Sequence, residues 1–218
     1  MSPADFLELL RGAGITVSLS LAGILFGLPL GLGMALSRWA KVPILAPLLG
    51  AYVSVVRATP LVTLALLIFF ALPNLGIEID PMPAAVLTLT LNTAAFNCEI
   101  WRGGLVDFSR EQLEAARAFG MRSPLYFRRI ILPQLWRTCL PALVNEMTLL
   151  IKGSPAIAVV GVVDITRAAV RIGSETYEPL PPFLAATGLY FLIVVAIVLV
   201  QRMVERSPDL VNLRDQLA

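Results

Sequence analysis

Four ionisable side chains interrupt long apolar stretches of this sequence, where they could pair with one another or bind a charged molecule. They are Arg57, Glu99, Glu146 and Lys152, and their formal charges sum to zero. At the centre of a lipid-embedded helix each costs about 2.5–3.5 kcal/mol, so such residues usually face the interior of a helix bundle. For Arg57 and Glu99 a structural role is the simpler interpretation. For Glu146, which lies deeper in its stretch, two roles are open: a structural role, and the binding of such a charged molecule, called the cargo below.

Two asparagines could add amide groups to a polar path through such a bundle. Asn92 and Asn97 are five residues apart, which separates them by roughly 140° around an ideal α-helix. Both can face one path only if that helix is locally distorted. The candidate cargo-binding residues are Asn92, Asn97, Glu99 and Glu146. Arg57 and Lys152 are candidates for structural or gating charges.

Missing residue types exclude several kinds of chemistry. The sequence has no histidine, which excludes Ser-His-Asp triads, Cys-His pairs and histidine-ligated metals. Its two cysteines, Cys98 and Cys139, lack the spacing of a metal site or a disulfide framework, so we expect both to pack as small apolar residues and expect no metal site. The sequence contains no G-x-x-x-x-G-K-[ST] phosphate loop. If a nucleotide drives this protein, a separate subunit binds it.

The composition indicates a membrane protein. Hydrophobic residues make up 57% of the 218 residues and charged residues only 15%, compared with roughly half and about a quarter in soluble domains. Charge-free stretches cover residues 12–37, 58–77, 81–98 and 179–201. About 20 helical residues span the ~30 Å hydrocarbon core of a bilayer. We therefore predict an all-α integral membrane protein that forms a single transmembrane domain, residues 1–218.

The charges between these stretches predict five crossings and their direction. Residues 38–49 and 102–137 have an excess of Lys and Arg, whereas residues 73–82 and 164–182 do not, and basic loops stay in the cytoplasm. This pattern places the N-terminus outside and the C-terminus in the cytoplasm. The fourth crossing contains a Gly-Ser-Pro sequence that would break or kink a helix. The predicted crossings are residues 12–37, 50–72, 83–101, 138–163 and 182–201.

Residues 102–137 are predicted to form a helix–loop–helix on the cytoplasmic side. Ser109 fits the N-cap of a first helix, and Gly120 suits the positive-φ position that follows a helix C-terminus. Ser123 is predicted to cap a second, short helix that ends before Pro133. Small residues in the middle of the first helix would let a partner protein approach closely. The alternative is a helical loop that merely covers the end of the bundle.

The spacing in this segment resembles the EAA motif of bacterial ABC importer permeases. The matching residues are Glu114-Ala115-Ala116, then Gly120, then Ile130-x-Leu132-Pro133. The similarity extends over about residues 52–167 and includes RATPL at 57–61, LNTAAF at 91–96 and LPAL at 140–143. Together these motifs resemble the polar amino acid permease branch, which includes histidine, glutamine and arginine importers.

The resemblance implies a type I ABC importer permease fold, with about five transmembrane helices and a cytoplasmic coupling-helix loop at residues 102–137. In this family the loop docks into a groove on a cytoplasmic ATPase, so Glu114, Ala115, Ala116 and Gly120 would transmit ATP-driven movement to the membrane helices. The implied partners are ATPase subunits, a second permease subunit (identical or related), an external substrate-binding protein and membrane lipid, but no nucleic acid. The chain itself would bind no cofactor, because ATP and Mg²⁺ would bind to the ATPase. The implied location is the bacterial inner membrane.

Glu146 indicates which amino acids such a permease would favour. It directly follows Asn145, as in similar permeases that handle cationic amino acids, and a buried carboxylate suits a Lys-like or Arg-like side chain. Lys152 could instead neutralise Glu146. After this lysine similar permeases usually continue Asp-Thr/Ser-Ser, whereas this chain has Gly153-Ser154-Pro155. The resemblance therefore does not carry over to the geometry of the outer gate.

The main alternative is a self-sufficient secondary transporter or channel subunit, coupled to ions through Glu99, Glu146 and Lys152. Secondary transporters with inverted repeats usually have more than five spans, and this sequence has no convincing internal repeat. A purely structural membrane scaffold would require the EAA spacing to be accidental. The ATP-driven importer is therefore the preferred interpretation.

Overall fold

A computed structural model describes residues 1–205, and every regular element in that part of the chain is helical. This confirms the predicted all-α class. A π-helical turn, Phe127–Ile131, precedes α7, and a 3₁₀ segment, Ser154–Val160, follows it. The α-helices are α1 (Pro3–Trp39), α2 (Leu45–Ala58), α3 (Leu61–Asn74), α4 (Pro81–Val106), α5 (Arg110–Ala118), α6 (Ser123–Tyr126), α7 (Leu132–Gly153), α8 (Ile165–Thr176) and α9 (Leu180–Glu205).

Several of these helices can cross a membrane. Three helical segments are long and apolar enough, namely Pro3–Trp39, Ser123–Val160 and Leu180–Val200, and the bent pair of α2 and α3 makes a fourth candidate. The predicted third crossing, on α4, is not among them, and most of its side chains are buried among the other helices. The chain is thus a multi-pass membrane protein, while the number of five crossings stays a prediction.

Large apolar side chains cover the outside of this bundle. Leu25 on α1, Phe70 on α3 and Phe191 on α9 are exposed by 68%, 62% and 66%. Soluble monomers rarely expose apolar surface on this scale. Lipid, or another membrane subunit, is the environment that such a surface needs.

The predicted second crossing, residues 50–72, is not one continuous helix. α2 ends at Ala58, α3 begins at Leu61, and the two are bent by 116° relative to each other. Thr59 has an extended backbone because the ring of the following Pro60 disfavours the α conformation in the residue before it. This Thr-Pro pair is visible in the sequence and explains the break.

A row of glycines lets α1 and α4 pack closely. Gly23, Gly27 and Gly31 recur every fourth residue and therefore share one face of α1. A Cβ atom added at Gly27 would lie 2.6 Å from the Cβ of Thr93, and one added at Gly31 would lie 2.9 Å from the carbonyl oxygen of Ala94. Small residues with this spacing permit close helix approach in membranes. They bring α4, which carries three of the candidate residues, against α1.

Replacing Gly27 with valine is expected to destabilise the fold by roughly 1–3 kcal/mol, because the side chain cannot fit unless α1 and α4 separate. Gly33 on the same helix is the matched control, since a Cβ added there meets no atom within 4 Å. Gly33→Val should change stability by less than about 0.5 kcal/mol. Thermal unfolding of the purified chain in detergent measures both variants. Equal effects would contradict the close packing at Gly27.

The predicted break at residues 153–155 is present as a change of helix type. α7 ends at Gly153, and the chain continues as the 3₁₀ segment Ser154–Val160. Gly161, with φ at +103°, ends that segment. At the Gly-Ser-Pro sequence the α-helix thus changes to the tighter 3₁₀ form, and the chain does not become an open loop.

Candidate functional site

The first helix of the EAA loop, residues 102–137, is built as the sequence predicts. The Ser109 hydroxyl caps α5 by accepting a 3.4 Å hydrogen bond from a backbone N–H. At the other end Gly120 has φ at +73°, and its N–H donates to the carbonyl of Arg117 at 2.9 Å. The N–H of Met121 donates to the carbonyl of Ala116 at 3.0 Å. These two bonds form a Schellman motif, whose left-handed position favours glycine.

The turn after α5 exposes a large aromatic side chain. Phe119 is 88% exposed, whereas Ala116 is only 5% exposed and packs into the core. Glu114 and Ala115 are exposed on the same helix. α5 therefore has one face fixed to the bundle and another that the described part of the chain leaves uncovered. Aromatic side chains are enriched at surfaces that bind other proteins.

The second helix of the loop differs from the prediction at both ends. Its N-cap is Arg122, and Ser123 is already the first helical residue. It does not end before Pro133, because the π-helical turn Phe127–Ile131 joins it directly to α7. Proline has no N–H to donate, and a π turn reaches back five residues instead of four, which accommodates the missing hydrogen bond. The chain therefore stays helical through the proline.

This continuity connects the EAA loop to the interior of the bundle. The helical path runs from Ser123 through the π turn and α7 to Gly153, and it includes Glu146. The side-chain amide of Gln134 on α7 donates a 3.0 Å hydrogen bond to the side-chain oxygen of Gln112 on α5. A force applied to α5 can thus reach α7 without passing through a flexible linker.

The candidate cargo-binding residues are mostly buried, but they do not form one cluster. Asn92 and Asn97 on α4 are 8% and 0% exposed, and Glu146 on α7 is 7% exposed. Asn97 packs against Gly31 of α1, and within residues 1–205 neither its Nδ2 nor its Oδ1 has a hydrogen-bond partner. Buried amide groups normally have partners. Asn97 is thus a polar group that a polar molecule or water could satisfy.

Glu99 belongs to a separate cluster, in which two arginines hold it. One carboxylate oxygen pairs with Arg38 at the end of α1, and the other accepts a 2.8 Å hydrogen bond from Arg102, one turn further along α4. The side chains of Arg38 and Glu99 are about one-fifth exposed. The cluster therefore links the ends of α1 and α4.

Replacing Glu99 with glutamine is expected to lower stability by about 1–2 kcal/mol. The change leaves Arg38 and Arg102 as neighbouring like charges in a partly solvated site. Thermal unfolding in detergent measures the effect, and Glu178→Gln removes an exposed carboxylate as the control. If Glu99 contacts cargo instead, the same variant should lose uptake at unchanged stability.

Neither of the other two candidate charges forms an ion pair with a glutamate within residues 1–205, although Arg57 lies within electrostatic range of Glu146. The guanidinium of Arg57 lies 5.4 Å from the centre of the Phe96 ring, which is a cation–π contact. Lys152 is exposed, and no ion pair within residues 1–205 joins it to Glu146. Residues six apart point in directions roughly 120° apart around a helix. The neutralisation of Glu146 by Lys152 that the sequence permits is therefore not observed.

One buried acid lies outside the candidate residues. Asp164 is 0% exposed and caps α8 by accepting a 2.8 Å hydrogen bond from the N–H of Arg167. Its other carboxylate oxygen accepts a 3.1 Å hydrogen bond from the hydroxyl of Tyr190 on α9. An Asp before an apolar-periodic segment is an N-cap signal that could have identified this helix start. The contact with Tyr190 has no local signal.

Comparisons with known proteins agree with this architecture. The chain matches the family described as binding-protein-dependent transport system inner membrane component over residues 27–209. It is 35% identical to the arginine transport system permease protein ArtQ of Bacillus subtilis (strain 168), over 91% of each chain. It is 37% identical to the nopaline transport system permease protein NocM of Agrobacterium fabrum (strain C58), over 87% of this chain and 83% of that protein.

A solved structure supports the same assignment at the level of fold. A crystal structure of an amino acid ABC transporter with histidines matches with a TM-score of 0.83 and 32% identity, covering 91% of this chain and 93% of that chain. The fold is thus that of a type I ABC importer permease. This chain belongs to the family of binding-protein-dependent transport system inner membrane components.

Proposed function

We propose that this chain is the membrane-spanning permease subunit of an ATP-driven importer of polar amino acids, and that its cargo is cationic. The observation that carries the proposal is the construction of the EAA loop. Its exposed turn at Gly120 is followed by a helix that continues, through the π turn, to the buried Glu146. The turn and the continuous helix that follows it thus connect a surface for a cytoplasmic partner with a charge inside the bundle.

The EAA loop gives an ATPase a place to act on the membrane helices. Glu114, Ala115 and Phe119 form the exposed docking surface, while the buried Ala116 and the left-handed Gly120 fix its shape. ATP and Mg²⁺ bind to the ATPase, whose closure displaces α5. The hydrogen bond between α5 and α7 and the unbroken helix pass this displacement inward. Alternating access needs such a shift between two arrangements of the helices.

The proposed cargo path runs beside α4 and α7. The carboxylate of Glu146 offers a negative charge to a cationic side chain, and Asn92 offers an amide group, while Asn97 faces α1. Arg57 is exposed. In this proposal a second permease subunit, identical or related, covers the face that carries Arg57, and the charge of Arg57 acts in gating. An external binding protein delivers the amino acid on the side where the N-terminus lies. The EAA loop and the C-terminus lie in the cytoplasm.

Purification of the detergent-solubilised chain from its own membranes tests the proposal. An ATPase subunit should co-purify, and the ATP hydrolysis of the complex should be lost in Glu114→Lys and Gly120→Asp. Glu178→Lys makes the same charge change as Glu114→Lys at an exposed position outside the EAA loop. It should leave ATP hydrolysis unchanged. Purification of the chain without an ATPase subunit, in the parent and equally in all three variants, would contradict the proposal.

A further inference from the structure

A cavity of about 350 Å³ lies where the ends of α1 and α4 meet α5. Four of its lining residues are cationic, namely Arg38, Lys41, Arg102 and Arg110. The remaining lining residues are apolar or aromatic and include Trp39 and Phe108. None of the residues proposed to bind cargo or the ATPase lines this cavity.

In the described part of the chain, the cavity has more positive charge than the surrounding residues neutralise. Glu99 is engaged by Arg38 and Arg102, and within residues 1–205 it is the one carboxylate that pairs with a cation of the cavity. Within residues 1–205, no ion pair involves Lys41 or Arg110. The acidic neighbours of Arg110 in the sequence, Asp107 and Glu111, do not line the cavity. A recess with this excess of positive charge attracts an anion.

Apolar surface continues outward from the same cavity. Val106 lines it and is 60% exposed, and Ile44, in the connection between α1 and α2, is 77% exposed. Tryptophan near the end of a membrane helix is typical of the level of the lipid headgroups, and Trp39 is the last residue of α1. A small inorganic anion would use only the cations. A phospholipid would use the cations through its phosphate and the apolar surface through its acyl chains.

The backbone beside the cavity is held in an unusual conformation. Lys41 and Ile44 have φ at +54° and +66°, in the left-handed region that residues other than glycine rarely adopt. Such strain costs about 1–3 kcal/mol and persists where surrounding structure or function requires it. The two strained residues here are a lysine that lines the cavity and an isoleucine whose side chain is exposed.

We propose that this cavity binds the headgroup of an anionic phospholipid. The phosphate lies among Lys41, Arg110 and the two arginines of the Glu99 cluster, and the acyl chains extend along the apolar surface by Val106. Because Arg110 and Leu113 belong to α5, the lipid braces the helix of the EAA loop against α1 and α4. This site is independent of the cargo and of the proposed direction of transport.

Native mass spectrometry of the purified full chain, with the subunits that co-purify, tests this site. Phosphatidylglycerol or phosphatidylcholine is added to the detergent, and the affinity for the most tightly bound lipid is measured. Lys41→Gln/Arg110→Gln should weaken phosphatidylglycerol binding about 30-fold, since each cation near an anionic lipid contributes about a factor of five. Phosphatidylcholine binding should not change. Arg128→Gln/Arg129→Gln removes the same charge from exposed positions outside the cavity and should have less than a twofold effect.

Two results would overturn the proposal. Equal weakening in both double variants would show that only the overall surface charge attracts the lipid. Displacement of phosphatidylglycerol by inorganic phosphate at an equal concentration would show that the cavity binds a small anion. If the Lys41→Gln/Arg110→Gln chain does not fold, Lys41→Gln alone, on an exposed connection, provides the same test with an expected fivefold effect and Arg128→Gln as its control.

Discussion

Replacing Phe119 with alanine is expected to weaken binding of the ATPase partner at least about 30-fold while leaving the chain folded. Truncation of an aromatic anchor at the centre of an interface typically costs 2 kcal/mol or more. Phe119 is 88% exposed, so its removal takes little from the core of the chain itself. Titration of the ATPase subunit onto the chain in nanodiscs measures the dissociation constant, and thermal unfolding checks the fold.

A second exposed phenylalanine provides the matched control for this experiment. Phe191 is 66% exposed on α9, within a segment apolar enough to cross the membrane. Phe191→Ala should leave the dissociation constant of the ATPase unchanged, because a lipid-facing residue does not contact a cytoplasmic partner. If Phe119→Ala also binds the ATPase with the parent affinity, the turn at Gly120 is not the docking surface.

Replacing Glu146 with glutamine is expected to reduce arginine uptake roughly 100-fold. Glu146 is 7% exposed, and a cationic cargo that passes this position without a counter-charge loses about 3 kcal/mol of stabilisation. Glutamine uptake should be affected much less, because a neutral side chain does not need the carboxylate. Uptake of both labelled amino acids by the reconstituted complex, at equal protein content, gives the ratio directly.

Two further variants separate a role of Glu146 in cargo binding from a structural role. Glu175→Gln removes an exposed carboxylate near the end of α8 and should leave arginine uptake unchanged. Glu146→Asp retains the charge and should retain more arginine uptake than Glu146→Gln at similar thermal stability. Arginine uptake that is the same in Glu146→Gln as in the parent complex would exclude a cationic-cargo role for this residue.

Features that depend on neighbouring residues could be predicted from the sequence. The cap at Ser109 and the left-handed Gly120 are set by local backbone chemistry, and both are confirmed. The bend at Thr59-Pro60 also depends on two adjacent residues. The charge-free stretch at residues 58–77 nevertheless favoured the prediction of one crossing at residues 50–72. The chain stays helical through Pro133 because a π turn precedes it, and no residue type in the sequence marks such a turn.

Features that depend on which helices meet could not be predicted in this way. The pairing of Glu99 with Arg38 joins residues 61 positions apart, and neither residue indicates its partner. The contact of Asp164 with Tyr190 and the packing of Asn97 on Gly31 likewise require the bundle to be assembled. The sequence thus identifies three buried polar residues, Asn92, Asn97 and Glu146, but not Asp164, and the grouping of such residues depends on the tertiary packing of α1, α4 and α9.

Uptake by proteoliposomes that contain the chain together with its ATPase tests the central claim most directly. With the binding protein outside and ATP and Mg²⁺ inside, labelled arginine should accumulate, and accumulation should stop when ATP is replaced by a non-hydrolysable analogue. The chain alone, under an ion gradient, should transport nothing. Accumulation by the chain alone under that gradient would contradict the account and identify an ion-coupled transporter.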